Sequence, residues 1–402
     1  MSPFTRRQFA VSSIAASVAA VAAPWQSASR VVAAMSIDEP TIDPAKAGLI
    51  YRTKAPRNGE PPLRKLAENW TTPSSHFYIR SHGMNPQIAA EHTVEIDGLV
   101  DKPLKMTVSE LVKRFPQVSC TCTVSCAGIR RQEFIRMKPM KGVDWAEGPI
   151  GNAMWTGVLL SDVLKAAGVR PEAKHVWFEG ADQVKDGNAT FPFGASIPLS
   201  KLAEEDATMP GAMLATHMNG EPLLPDHGFP VRTIVPGYIG ARSVKWLHKI
   251  TLSDKPSTNH FVADVYKMVY SQTQAEIDET APIYRYPVNA AVCSADQRDG
   301  KLYLRGYALP FGKKDCRVAT VEFSVNGGES WTTATLESDS ADYCWQLWTA
   351  TLGVVNPETE IIVRATDSLG NTMPATVPWN PKGYLYNAWH RMPLKQLLAN
   401  AG

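Results

Sequence analysis

The chain is poor in cysteine, carries no excess of either charge, and has no long apolar run beyond its first residues. Six cysteines in 402 residues (Cys120, Cys122, Cys126, Cys293, Cys316 and Cys344) are too few for a disulfide framework, although a bridge among the last three stays open. No Cys-x-x-Cys-His occurs, so no covalent haem is expected on this chain. There is no iron–sulfur cysteine run, and the glycine fingerprints of P-loop and dinucleotide-binding folds are missing. The formal charge is +2, and leaving out residues 1–34 removes Arg6, Arg7 and Arg30, giving 38 basic against 39 acidic residues. So balanced a chain lacks the electrostatic footprint of a nucleic-acid binder. After residue 23 no apolar stretch reaches the roughly 18 residues that suggest a membrane helix, so no membrane span is expected.

What is present begins with an address. Thr5-Arg6-Arg7-Gln8-Phe9 precedes a weakly apolar, alanine-rich run from Ala10 to Ala23, the pattern of a twin-arginine export signal over residues 1–34. That route carries folded proteins, so it predicts a periplasmic protein with a cofactor inserted before export.

Residues 35–75, rich in proline and charge, are expected to form an extended lead-in. Residues 76–280 alternate strands and short helices, which predicts a mixed α+β domain. His76–His82 and His92–Leu99 read as strands. Thr107-Val108-Ser109-Glu110 is a capping box opening a short helix that Pro116 closes. His175–Gly180 is a buried strand with Asp182 just beyond it, and Gly187–Leu199, broken by Pro192, Gly194 and Pro198, reads as irregular. Over residues 281–402 short alternating runs (Asn289–Cys293, Lys301–Leu309, Arg317–Val325, Cys344–Thr351, Glu360–Asp367) are separated by turn residues, and Asn326-Gly327 marks a hairpin. This half is expected to be an immunoglobulin-like β-sandwich.

The chemistry centres on Ser125-Cys126-Ala127-Gly128-Ile129-Arg130-Arg131, where one cysteine ends an apolar strand. A thiolate beside fixed cations ionises readily and suits a soft metal, while arginine forks bind oxyanions. Arg80 and His82, two apart on a strand, leave one face. His227, Arg232, Arg242 and Lys245 sit on loops interleaved with Gly228, Gly237 and Gly240, a setting in which backbone and cations bind phosphate-like anions.

Together these blocks resemble the sulfite oxidase family of molybdenum enzymes, from about His76 to Arg391. The resemblance runs through Phe77–His82, Ser125–Arg131, Gly194–Pro198, Asp226–Arg232, Gly240–Trp246 and Asn387–Arg391. It implies a molybdenum–molybdopterin cofactor with Cys126 as the metal ligand. It also implies a substrate pocket of Arg80, Arg131, Trp145 and Tyr266, and a pterin and phosphate site of His82, Asp182, His227, Arg232 and Lys245. Ile129 stands where members carry Asn, and Trp379-Asn380-Pro381-Lys382-Gly383 stands for Trp-Asn-Leu-Arg-Gly, so Lys382 supplies the charge there without a fork. The implied activity is oxidation of sulfite to sulfate by a homodimer that passes electrons to an external c-type cytochrome. Two alternatives are a molybdenum-dependent reductase of sulfoxide-type substrates, which lacks the sandwich, and a cofactor-free exported binding protein.

Overall fold

The computed structural model describes residues 30–32, 48–89, 91–271, 273–337 and 341–399. Apart from Arg30–Val32, which pairs with Gln117–Ser119 at a sheet edge, the export signal lies outside the described residues. Among the described residues no helix is long and apolar enough to cross a membrane.

The first half packs two sheets around one core. In one sheet the strands Gln117–Ser125, Ile150–Leu159 and Met213–Met218 run antiparallel, and Arg232–Ile234 pairs with Met213–Ala215. In the other, Ala189–Pro198, His175–Asp186, Leu247–Ser253, Thr93–Gly98 and Leu104–Thr107 follow in that order. Val94, Ile96, Val176, Phe178, Leu214, Ile250 and Leu252 meet in the interior and remove most of their apolar area from water. The helix Val108–Arg114 begins at the expected capping box, with Thr107 Oγ1 accepting from Glu110 N–H at 3.1 Å and the Glu110 carboxylate accepting from Thr107 N–H at 2.7 Å.

The second half is the expected sandwich. One sheet holds Asn289–Arg298, Lys301–Leu309, Gln346–Gly353 and Thr335–Leu336; the other holds Thr332–Thr333, Val318–Ser324, Glu360–Asp367 and His390–Pro393. Trp348, Val321, Ile361 and Val363 fill the space between them. All six cysteines are buried free thiols, so the open question of a bridge is answered: none forms.

Four features differ from expectation. The stretch expected to be irregular after Gly187 is a strand, Ala189–Pro198, because a register shift between Pro192 and Gly194 absorbs the proline that lacks an N–H. Its partner strand continues to Asp186, so Asp182 lies within a strand, not past its end. The supposed extended lead-in folds: Ile50–Lys54 and Arg57–Glu60 form a hairpin, and Arg57–Glu60 pairs with Ile79–Arg80. Pairing on that third strand is limited to Ile79 and Arg80, the short remnant of the expected His76–His82 strand.

The halves are joined through Arg130. It adopts φ 60°, a strained left-handed conformation for a non-glycine residue. Its buried guanidinium donates to Asn289 Oδ1 at 2.9 Å, Ala388 O at 2.8 Å and Trp389 O at 3.2 Å, while its Nε pairs with Glu133 at 2.6 Å. The turn after Cys126 is thus fastened to the sandwich.

Candidate active site

Cys126 follows the strand Gln117–Ser125 and lines an open cleft. Its Sγ accepts from Gly128 N–H at 3.4 Å. The guanidinium of Arg131 lies close over Gly128: a Cβ there would be 2.6 Å from Nη2 and the arginine end would have to shift. Along with Cys126, the cleft wall carries Arg80, His82, Asp182, His227, Arg232, Lys245 and Tyr266, all expected from the sequence, drawn from separate loops and strands.

Cations dominate this wall, and their partners are unusual. Arg232 donates to His227 O and Ser243 O, both at 3.0 Å, and burial pushes it down to about 10. Lys245 Nζ donates to Ser81 Oγ at 2.7 Å and Asp226 O at 2.9 Å; burial, then the Arg232 charge, push its ammonium down to about 7. Among the described residues neither Arg80, Arg232 nor Lys245 is within 4 Å of a carboxylate oxygen. Arg232 is held by carbonyls, and Asp226 and Asp182 lie near Lys245 without ion-pair contact, so the wall keeps unpaired positive charge that suits an anion supplied from outside the chain. Two carboxylate oxygens, Asp182 Oδ1 and Asp226 Oδ2, are buried on the same wall without a hydrogen-bond partner and stand ready for donors. Burial pushes Asp182 up to about 6.

At the other end of the cleft Arg80, His82 and Tyr266 form a chain. Arg80 Nη2 lies 2.9 Å from His82 Nε2 and 3.1 Å from Nδ1, and Tyr266 Oη lies 2.8 Å from His82 Nε2. Burial, then the Arg80 charge, hold the imidazole well below its ordinary value, so it is a neutral acceptor. Burial raises the Tyr266 hydroxyl, which keeps its proton.

The remaining expected residues lie off this wall. Arg131 is drawn away by carbonyls, donating to Gly383 O at 3.2 Å and Val143 O at 2.9 Å over the ring of Tyr384. Trp145 is fully buried, with an Nε1 that has no partner. Arg242 lies behind the cleft between the rings of Tyr266 and Tyr284, donating through Nε to Ile283 O at 2.9 Å. Lys382 Nζ reaches Asp264 O at 3.4 Å. Conversely, Tyr78, Ser81, Phe193, Asp226, Ser243 and Trp246 line the cleft without having been singled out. Ser81 lies between two chosen residues and Asp226 beside a third, so proximity was the available signal; Tyr78 and Phe193 had none beyond apolar pattern.

A family model described as oxidoreductase molybdopterin binding domain matches residues 82–261, and one described as Mo-co oxidoreductase dimerisation domain matches residues 274–397. The chain is 38% identical over 368 residues to the mitochondrial sulfite oxidase of Drosophila melanogaster, covering 85% of this chain and 62% of that protein. It is 35% identical over 382 residues to the sulfite oxidase of Arabidopsis thaliana, covering 88% of this chain and 95% of that one. The crystal structure of the sulfane dehydrogenase SoxCD from Paracoccus pantotrophus superposes with a TM-score of 0.70 at 24% identity, covering 88% of this chain and 87% of that one, and so shares the fold.

Proposed function

The chain belongs to the sulfite oxidase family of molybdenum enzymes, and from that premise we propose that it is a sulfite dehydrogenase. The reading is carried by the cleft in which one thiol, Cys126, shares a wall with Arg80, Arg232 and Lys245, which make no ion pair among the described residues. A pterin phosphate would match that charge, with Arg232, Lys245 and His227 to hold it, and the unpartnered Asp182 Oδ1 and Asp226 Oδ2 would be acceptors for its N–H groups. Cys126 supplies a soft thiolate for molybdenum. When bound, the cofactor supplies two-electron oxygen-atom transfer between water and the sulfur of sulfite.

The chain's own residues do the rest. Arg80 neutralises the sulfite anion and fixes its orientation through charge-assisted hydrogen bonds. His82, kept neutral, accepts from Arg80 at one ring nitrogen and hydrogen-bonds Tyr266 Oη at 2.8 Å, which holds both side chains in place. Tyr266 retains its proton beside the cleft and is available as a hydrogen-bond donor to oxygen. Arg131 and Lys382 serve the same end from behind, by fixing the turn after Cys126 and by adding positive charge.

The protein is proposed to work in the periplasm after twin-arginine export, as a homodimer built through the sandwich, and to pass electrons to a small c-type cytochrome. The export pattern at Arg6 and Arg7 and the dimerisation-domain match support these points. The test is sulfite-dependent reduction of cytochrome c by the purified protein at rising ionic strength. A transient, partly electrostatic encounter slows with salt. Hydrogen peroxide formed at the rate of sulfite consumption shows an oxidase instead.

A further inference from the structure

The register of the three-stranded sheet sets Asn58 opposite Arg80. Asn58 is 2% exposed, and every polar atom of its amide is used. Its Nδ2 donates to Thr53 Oγ1 at 2.8 Å and Pro56 O at 3.2 Å, which fixes the amide's orientation. Its Oδ1 then accepts from Arg80 Nη1 at 3.1 Å and from Ser81 N–H at 2.9 Å.

We infer that Asn58 is a positioning residue for Arg80, making the hairpin of residues 50–60 part of the oxyanion-binding machinery although it lies upstream of the family-model match. The inference rests on the cleft being a sulfite site, and it adds a specific determinant of affinity for that anion.

First, the hairpin is anchored on both sides of Asn58. Arg57 pairs with the buried carboxylate of Asp226 at 3.0 Å, and the Glu60 carboxylate accepts from Ala146 N–H at 3.0 Å and Gly148 N–H at 2.8 Å. Asn58 Oδ1 is therefore a fixed acceptor, not a mobile one. Secondly, the other holders of Arg80 are local: the carbonyl of Ser81 and the ring of His82, one and two residues along the chain. Among the described residues only Asn58 ties the guanidinium to a different element, and an arginine fork binds an oxyanion well only when its plane is preset. Thirdly, the same Oδ1 holds the backbone of Ser81, whose hydroxyl takes Lys245, so one amide sets two cations of the cleft at once.

The test is a double-mutant cycle on the cofactor-loaded full chain, combining Asn58→Leu with Arg80→Gln. It reads KM and kcat for sulfite with ferricyanide, and sulfate affinity by titration calorimetry. Asn58→Leu is expected to raise sulfite KM and sulfate Kd about 10-fold, with kcat changed less than about 3-fold. In the Arg80→Gln background the same change should move either constant less than about 2-fold. Equal effects in both backgrounds, or unchanged sulfate affinity in Asn58→Leu, overturn the assignment. If Asn58→Leu does not fold, Asn58→Asp keeps the shape and sets a carboxylate against Arg80; sulfate affinity should then fall at least about 10-fold, and unchanged affinity is equally decisive against the inference. Wild-type protein that binds sulfate but leaves sulfite unoxidised removes the functional reading, and the sulfate arm of the cycle still decides this one.

Discussion

Tyr266 Oη lies 2.8 Å from His82 Nε2, at the end of a chain that begins at Arg80. Because the arginine can only donate and the imidazole is held neutral, the tautomer in which Nδ1 accepts from Arg80 leaves Nε2–H to donate to Tyr266 Oη and the hydroxyl hydrogen free. The site thus presents a fixed positive charge and a protonated hydroxyl to the same cleft, the combination an oxyanion substrate needs.

Replacing Arg80 by Gln keeps much of the volume and removes the charge. Catalytic efficiency with sulfite should drop about 10²-fold, mostly through KM, as steady-state kinetics with ferricyanide will report. Unchanged kinetics would place the substrate elsewhere.

Lys245 gives a pH signature. Its folded value of about 7 lies below its ordinary value of 10.5, so between them the unfolded chain binds a proton that the folded, cofactor-free chain does not. Stability of the cofactor-free protein should therefore rise with pH across that window, whereas acidification toward pH 7 lowers it. Denaturant unfolding of wild type against Lys245→Met isolates the effect, since the variant lacks this titration. In cofactor-loaded protein a bound phosphate keeps the ammonium charged, and the difference in slope should disappear.

Arg130 is a structural prediction. Arg130→Ala leaves Asn289 Oδ1 and the carbonyls of Ala388 and Trp389 without their donor and unpairs Glu133. A loss of about 3–5 kcal/mol is expected in chemical denaturation, as for breaking a buried charged network. A loss under about 1 kcal/mol would mean that water replaces these contacts readily.

Much of this architecture was legible in the sequence, and the failures have common causes. The capping box at Thr107 and the strands after Asn289 are local patterns, set by side-chain chemistry within a few residues, and they formed as expected. The cations of the cleft could be picked out because each sits in a short motif with glycine or histidine. Proline misled at Pro192, where a bulge made a strand possible. The hairpin of residues 50–60 was missed because charge and proline hide its alternation, and its value lies in contacts more than 20 residues away, such as Asn58 with Arg80. Arg131 shows a related limit: its motif marks it as an anion binder, yet Val143 O and Gly383 O, distant in sequence, claim its guanidinium.

The central claim is that Cys126 is the thiolate through which the cleft holds molybdenum for sulfite oxidation. The direct measurement is sulfite-dependent ferricyanide reduction, normalised to bound molybdenum, for wild type and Cys126→Ser. About one molybdenum per chain and steady turnover are predicted for wild type. The variant should lose at least about 10³-fold in rate, because a hydroxyl is a harder and less polarisable ligand than a thiolate. Wild-type turnover in Cys126→Ser, or sulfite oxidation by wild-type protein free of molybdenum, would contradict the account.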